Sequence, residues 1–359
     1  MAAHIHGPVN FNLTSTQSRR QLVSHLEEII PQPWHSIFEL LCYNVVEAHR
    51  AGVEPVNIAG HSPSDRSGMR ISPILENKQA TLIFGEGDSL KSFYATYLSV
   101  LVASGCPQAG LIPEPGKVLY LDYETDVDTF WERVNMISAG IGIAIPEGLF
   151  YRPMIEPLAD EFTRINTIVM REAIAMVVVD SAAPAVLEPN AAEAVTAFFR
   201  ALRALNVTSL IIAHMTKGSK IDYPFGSTFW RNLPRSNFSI KADRNDDDVA
   251  ISLRHTKSNN GRRLNVFGYG FSFQGDMVII KEEEPAMRQD LAGEVPIWRR
   301  ILLALDGPKT VKELAEELEE TPNNISQVFS RDQRKPSSKR YFAKAISSEH
   351  WSKLYREEF

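Results

Sequence analysis

The chain has 359 residues, 44% of them hydrophobic and 23% charged, with a formal net charge of −6. That length holds one large core and a smaller companion, and that balance excludes disordered, fibrous and bulk nucleic-acid coat proteins while leaving room for a local basic surface. Cys42 and Cys106 lie in apolar sequence and read as buried free thiols. No apolar run approaches about 18 residues and no basic-then-apolar leader opens the chain, so a cytoplasmic protein with no membrane partner is expected.

Residues 1–20 are polar and read as a loose arm; His4, His6 and His25 show no ligand-like grouping with cysteine or acid. From Gln21 to Ala51 the apolar spacing predicts helix, interrupted at Pro31 and Pro33. Residues 52–76, rich in Gly, Pro and Ser, predict a linker or a loop flanking a site. Together, residues 1–75 read as an N-terminal helical arm and linker, either a lid or a piece that packs on a neighbouring subunit.

Thr81 to Ser104 (TLIFGEGDSLKSFYATYLSVLVAS) predicts a short apolar strand, a glycine-bearing turn and a helix, the context of an anion-cradling P-loop. The turn runs Gly85, Glu86, Gly87, Asp88, Ser89, Leu90 and leads into Lys91, Ser92 and Phe93. Its backbone N–H groups would face the phosphates of ATP, with Lys91 on the β/γ-phosphates and the Ser92 hydroxyl on Mg²⁺. The usual G-x-x-x-x-G-K-[ST] pattern is met at Gly85, Lys91 and Ser92, but Leu90 stands where a glycine normally precedes the lysine. Asp88 stands at the commonly glycine middle position. Leu90 is tolerable only if it keeps φ below zero, and the Asp88 carboxylate must point away from a triphosphate.

Apolar strands then alternate with helices: a strand at 118–124, a helix from Val127, a short strand around 149–151, a helix at 157–171, strands at 174–181 and 207–214, and between them a helix at 190–204. Near-continuous apolar strands of this kind predict a parallel sheet covered on both faces. Asp180 ends the strand MVVVD, where an Mg²⁺-holding acid sits in P-loop ATPases, although an Asp there also serves as a helix cap. Glu124 ends the strand after the P-loop helix, facing the same sheet edge, where a carboxylate orients an attacking water. Asp122 and Asp126 compete for that role, and alternation puts Asp122 and Glu124 on one face. His214 closes VTSLIIAH on the same edge, with Thr216 and Lys217 beside it, as a γ-phosphate sensor or a plain end-of-strand histidine.

After Lys220 the texture predicts short antiparallel strands joined by the turns NDDD and SNNG. Residues 281–296 read as a linker. Residues 297–359 read as a separate unit: three short helices, the third capped by Thr321 with Pro322 at its first position, then a strand-like YFAKAI. The third helix presents Asn323, Asn324, Ser326, Gln327, Arg331 and Arg334, and RDQRKPSSKR is the most basic stretch of the chain.

Residues 76–280 resemble the RecA-like ATPase superfamily, in the branch containing the plasmid replicative helicase RepA and, further off, DnaB and KaiC. The resemblance implies an α/β RecA-like P-loop NTPase core, mostly parallel with antiparallel edge strands, using ATP and Mg²⁺. It implies Glu124 as the catalytic base, Asp180 as the metal-side acid, and His214 with Lys217 at the sensor strand. Gly226 and Ser227 match the family's Gly-Ser, followed by Arg231 and Arg235. A trans-acting arginine and its lysine fall on Arg244 and Lys241, with Arg231 and Arg235 as rivals, which implies a ring or filament of identical subunits.

The C-terminal unit resembles winged-helix modules that dock on DNA or on proteins. There Arg331, Arg334 and Lys335 suit phosphates, and Asn323, Asn324 and Gln327 suit base edges. Arg254, His255, Lys257, Arg262 and Arg263 cluster in the meander, where a ring could pass single-stranded DNA. The expected activity is that of a DNA-acting ATPase or helicase. A nucleotide-switched regulator, or a structural DNA-binding protein with a dead ATP site, are its rivals.

Overall fold

A computed structural model describes residues 12–51, 55–60, 68–215, 223–245, 248–345 and 349–354. The chain divides into two units, Met1–Asp65 and Arg66–Phe359. In the first, helix α1 (Thr16–Ile29) and helix α2 (Trp34–Ala51) flank the expected break at Pro31 and Pro33. Helix α1 reaches back into the stretch expected as loose arm, because the Ser15 hydroxyl caps it by accepting from the Ser18 N–H. Arg19 pairs with Glu39 at 2.9 Å above the buried Val23, Leu26 and Cys42. Cys106, expected to be buried, is only half-buried.

The second unit opens with β1 (Met69–Ser72) and β2 (Leu75–Glu76), which form a small antiparallel sheet with β4 (Ile112–Pro113). The main sheet begins with β3 (Ala80–Gly85), followed by helix α3 (Lys91–Ser104). Then come β5 (Lys117–Asp122), α4 (Val127–Ile141), β6 (Leu149–Pro153), α5 (Phe162–Glu172), β7 (Ile174–Asp180), α6 (Ala192–Leu205) and β8 (Thr208–His214). The short α7 (Phe229–Asn232) leads into a meander of β9 (Ser236–Asn245), β10 (Asp248–Ser258), β11 (Phe267–Gln274) and β12 (Met277–Glu283).

Among the described residues these strands form one nine-stranded sheet in the order β12–β11–β10–β9–β3–β8–β7–β5–β6. Strands β3, β5, β6, β7 and β8 are mutually parallel, as their apolar runs predict. The meander is not purely antiparallel: β9 pairs antiparallel with β10 but parallel with β3, so the P-loop strand lies inside the sheet. Strand alternation divides the core. Ile83, Val118 and Tyr120 face α3 and α4, whereas Leu82, Phe84, Leu119 and Leu121 face α5 and α6. Helix α3 is buried along nearly its whole length, which explains why its sequence is apolar all round.

After α8 (Gln289–Ala292), helices α9 (Ile297–Ala304), α10 (Val311–Glu317) and α11 (Pro322–Gln333) precede the hairpin β13 (Phe342–Lys344) and β14 (Trp351–Lys353). Lys309 forms an isolated antiparallel bridge with Trp351 of β14. This part has its own core of Ile301, Leu305, Leu314, Ile325, Phe329 and Phe342, with Trp351 stacked flat on Phe329 at 4.0 Å. Thr310 and Glu313 form a capping box on α10, and Thr321 caps α11 ahead of Pro322, as read from sequence. Arg299 ties these helices to the sheet through Glu284 and the Val266 carbonyl. Among the described residues, no helix is long and apolar enough to cross a membrane.

Candidate nucleotide site

Parallel strands β3, β5, β7 and β8 deliver their carboxyl ends to one edge, where an open α/β sheet holds its ligands. Strand β3 ends at Gly85, and a Cβ there would meet the Ile240 carbonyl oxygen at 2.4 Å, so the approach of β9 requires glycine. Gly87 has open space around it. The left-handed conformations fall instead on Asp88 (φ 60°) and Leu90 (φ 56°), the positions where the motif normally carries glycine. The expectation that Leu90 keeps φ below zero is therefore wrong. The two left-handed positions of the loop thus fall on non-glycine residues, which bear the cost.

The leading N–H groups of α3 have no intrahelical acceptor, and Leu90 as N-cap offers them no side-chain bond. At the start of α3 these donors and the positive end of the helix make an anion cradle. Lys91 lies within the loop, only 6% exposed, its Nζ donating to the Glu86 carbonyl and to Ser89 Oγ at 3.1 Å. Burial lowers its pKa, against the pull of Asp180 and Glu124. The Asp88 side chain is exposed, and its carbonyl accepts from Arg244 Nη2 at 2.5 Å. The Phe93 ring packs edge-on against Phe271 and Phe273 in the core.

Two neighbouring strands present acids with different environments. Asp180, at the end of β7, is 2% exposed; its Oδ2 accepts from the Tyr120 hydroxyl at 2.7 Å. Its Oδ1 is buried without a partner, and the Ser92 hydroxyl faces the same carboxylate. Burial pushes its pKa up to about 6, with the Tyr120 and Ser92 hydroxyls holding it back. An orphaned carboxylate oxygen beside a serine hydroxyl and an anion cradle fits a hydrated Mg²⁺ arriving with phosphates. Among the described residues no group of three His, Cys, Asp or Glu could hold a metal alone.

On β5, Asp122 and Glu124 separate. Asp122 is buried, and its carboxylate accepts from the Glu124 and Thr125 N–H groups at 2.8 and 3.0 Å and from the Thr125 hydroxyl at 2.6 Å. These three bonds commit it to ending the strand. Asp126 caps α4. Glu124, half-exposed, reaches the cleft: its Oε1 lies 3.2 Å from His214 Nε2 and accepts from the Ser181 hydroxyl. The bond from His214 holds its carboxyl below the ordinary range, with help from Ser181 and Lys91 and against burial.

The cleft, about 370 Å³, is lined by the P-loop, Glu124, Asp180 and His214, and also by Arg133 and Arg244. Arg133, on α4, has a buried Nη1 without a hydrogen-bond partner. Sequence reading missed it, since nothing but its place on the helix after Glu124 marks it. It also missed Tyr120 and Ser181, for which the signals were strand alternation with Asp122 and adjacency to Asp180.

The remaining candidates lie elsewhere. Lys241 and Arg254 both pair with Glu294, and Arg231 donates to the Tyr223 hydroxyl at 2.7 Å. Arg235 lies at the opposite sheet edge, before β9. Lys257 donates to the Asn232 and Pro234 carbonyls, and Arg262 is exposed. Asn323, Asn324, Gln327, Arg331 and Arg334 are exposed on and just after α11, whereas Lys335 pairs with Asp332. Thr216 and Lys217 lie outside the described residues.

Residues 50–220 match the family described as "AAA domain", a span that holds the P-loop, Glu124, Asp180 and His214. No curated protein matches the chain. Among solved structures it is similar to a KaiC-like protein from the hyperthermophilic archaeon Pyrococcus horikoshii OT3, at 13% identity and a TM-score of 0.43, covering 60% of this chain and 97% of that one. The core of this chain is an α/β P-loop NTPase domain with a mixed parallel and antiparallel sheet.

Proposed function

We propose that the chain is an oligomeric, DNA-acting ATPase of RecA fold, related in mode of action to RepA- and DnaB-like helicases. The observation that carries this reading is the convergence of Lys91, Ser92, Glu124, Asp180 and His214 on one cleft from four strand ends. Ser92 and Asp180 would hold Mg²⁺, and Lys91, Arg133 and the loop N–H groups would hold the phosphates. Bound ATP supplies the phosphoryl group and Mg²⁺ the charge neutralisation. Glu124, kept ionised by His214, takes the proton of the attacking water. His214 links that carboxylate to the segment after β8.

The DNA reading is supported by the C-terminal arrangement of three helices and a hairpin, which fits a winged helix presenting Asn323, Asn324, Gln327, Arg331 and Arg334. One observation favours a second reading, a nucleotide-switched regulator: Lys91 is already satisfied inside its own loop, which carries two left-handed non-glycine residues. ATP turnover with and without single-stranded DNA, run beside a strand-separation assay, separates the two. Turnover that rises with DNA and accompanies strand separation is expected; nucleotide binding with no turnover in the presence of Mg²⁺ and DNA would leave the regulator.

A further inference from the structure

A second concavity, about 700 Å³, opens at the other edge of the sheet, where β3, β8 and β9 begin and α6 ends. Lys78, Arg200, Arg203 and Arg235 line it, with Asn206, Asn232 and Asn259 between them, and its wall contains no Asp or Glu. Several cations elsewhere in this unit are paired with carboxylates: Arg152 with Glu161, Arg254 with Glu294, Arg299 with Glu284 and Arg300 with Glu320. None of the four lining cations has a carboxylate partner among the described residues.

The cluster stands against its own repulsion. Arg200 and Arg203 are three residues apart on α6, a spacing that puts like charges side by side at a cost. Lys257, which donates to the carbonyl of the lining residue Asn232 at 2.6 Å, is pushed below its usual range by burial and then by Arg235 and Arg231. An acidic chain that collects cations on one concave wall, with neutral amides between them, offers an electrostatic footprint for an anion. The cleft is open and its cations are spread over α6 and two loops, which suits an extended polyanion better than a single small phosphate. Planar guanidinium forks match phosphodiester oxygens, and the amides suit sugar and base atoms.

We propose that this basic cleft holds the phosphodiester backbone of a nucleic-acid strand, independently of its sequence, on the edge of the sheet remote from the nucleotide site. The proposal rests on the DNA-acting reading above and gives it a surface. The length of β3, roughly 17 Å, separates the two clefts, so charge removed from one leaves the chemistry of the other intact.

The test uses the full chain, a fluorescein-labelled oligothymidylate and anisotropy titrations across salt concentrations, comparing wild type with Arg200→Ala/Arg203→Ala. Loss of two phosphate contacts should lower the magnitude of the log–log salt slope by about 1.4 and weaken binding about tenfold near 0.1 M salt. Titration with a fluorescent ATP analogue should give the same affinity in both proteins, which checks that the variant is folded. Arg200→Lys/Arg203→Lys should retain most of the binding. Equal affinity and equal salt slope in wild type and alanine variant would overturn the basic cleft alone. A wild type that binds the ATP analogue but no oligonucleotide would overturn the DNA-acting reading with it.

Discussion

Leu90 holds a backbone conformation that a side chain disfavours, and the loop around it is what a phosphate would meet. A left-handed L-residue costs roughly 1–2 kcal/mol, against the roughly 0.4–1 kcal/mol of unfolded-chain entropy that a glycine adds. Leu90 also packs partly on the core, so any truncation loses contacts. Comparing two truncations isolates the backbone: Leu90→Gly should be more stable than Leu90→Ala by about 1 kcal/mol. Urea midpoints give the order, and alanine ahead of glycine would mean that the position is not left-handed. Arg133 supplies a second residue-scale prediction. Arg133 lines the cleft with its Nη1 unpartnered, and a charged hydrogen bond contributes about 1.5–3 kcal/mol, so Arg133→Gln should weaken nucleotide binding about 10- to 100-fold without unfolding the chain. Unchanged affinity in a titration with a fluorescent ATP analogue would remove Arg133 from the site.

Asp180 makes the pH dependence readable. Its carboxyl is raised from 3.8 to about 6 in the folded chain, so the folded state binds the proton more tightly than the unfolded one. Its contribution to stability is therefore complete below the unfolded value and is lost as pH rises through about 6. Two pH units correspond to about 3 kcal/mol. Asp180→Asn should accordingly stabilise the ligand-free protein at pH 8, by an amount that shrinks toward zero below pH 4, while abolishing Mg²⁺-dependent nucleotide binding. Denaturant melts at the two pH values check it, and a pH-independent difference would contradict it.

At the scale of elements, what could be read in advance was what burial writes into composition. Strands β7 and β8 are covered on both faces and so appear as unbroken apolar runs; the all-apolar α3 identifies itself for the same reason. The Thr321 cap and Pro322 also announced α11. What stayed hidden were features set by contacts distant in sequence. Alternation left Asp122 and Glu124 equivalent, because nothing local says that β5 ends where the Asp122 carboxylate gathers the two following N–H groups. Pairing of β9 with β3 could not be read from a segment that looks like any meander strand, yet it brings Ile240 against Gly85 and Arg244 against Asp88.

His255 shows the same dependence on the tertiary structure. On β10 it stacks on Phe238 at 4.3 Å, its Nε2 lies 2.8 Å from the Ser236 hydroxyl, and its Nδ1 accepts from the Leu264 N–H. It is a strut between β9 and the loop before β11, and its ring is bound in neutral form. Burial depresses its pKa, so this contribution to stability is present above the unfolded value and fades as pH falls through the folded one. His255→Gln should flatten the acid side of the stability profile between pH 7.5 and 5.5, as urea melts would reveal; a profile as steep as that of wild type would assign the slope to other groups.

For the whole molecule, the question is whether one chain contains a complete catalytic site. Resemblance gives Arg244 to a neighbour's site, whereas in the single chain its guanidinium lines its own cleft and holds the P-loop at Asp88. Mixing Arg244→Ala subunits with Lys91→Ala subunits decides between the two. A cis role predicts no recovery of turnover in the mixture, and recovery would hand Arg244 to the adjoining subunit.

If this cleft splits ATP with Glu124 as base, steady-state ATP hydrolysis of the wild type with Mg²⁺, run beside Glu124→Gln and Lys91→Ala, will reveal it. Turnover is expected in the wild type, with a loss of about 10²–10⁴-fold in Glu124→Gln while nucleotide binding is retained, and loss of both binding and turnover in Lys91→Ala. Wild-type-like turnover in Glu124→Gln, or no turnover in the wild type, would contradict that reading of the cleft.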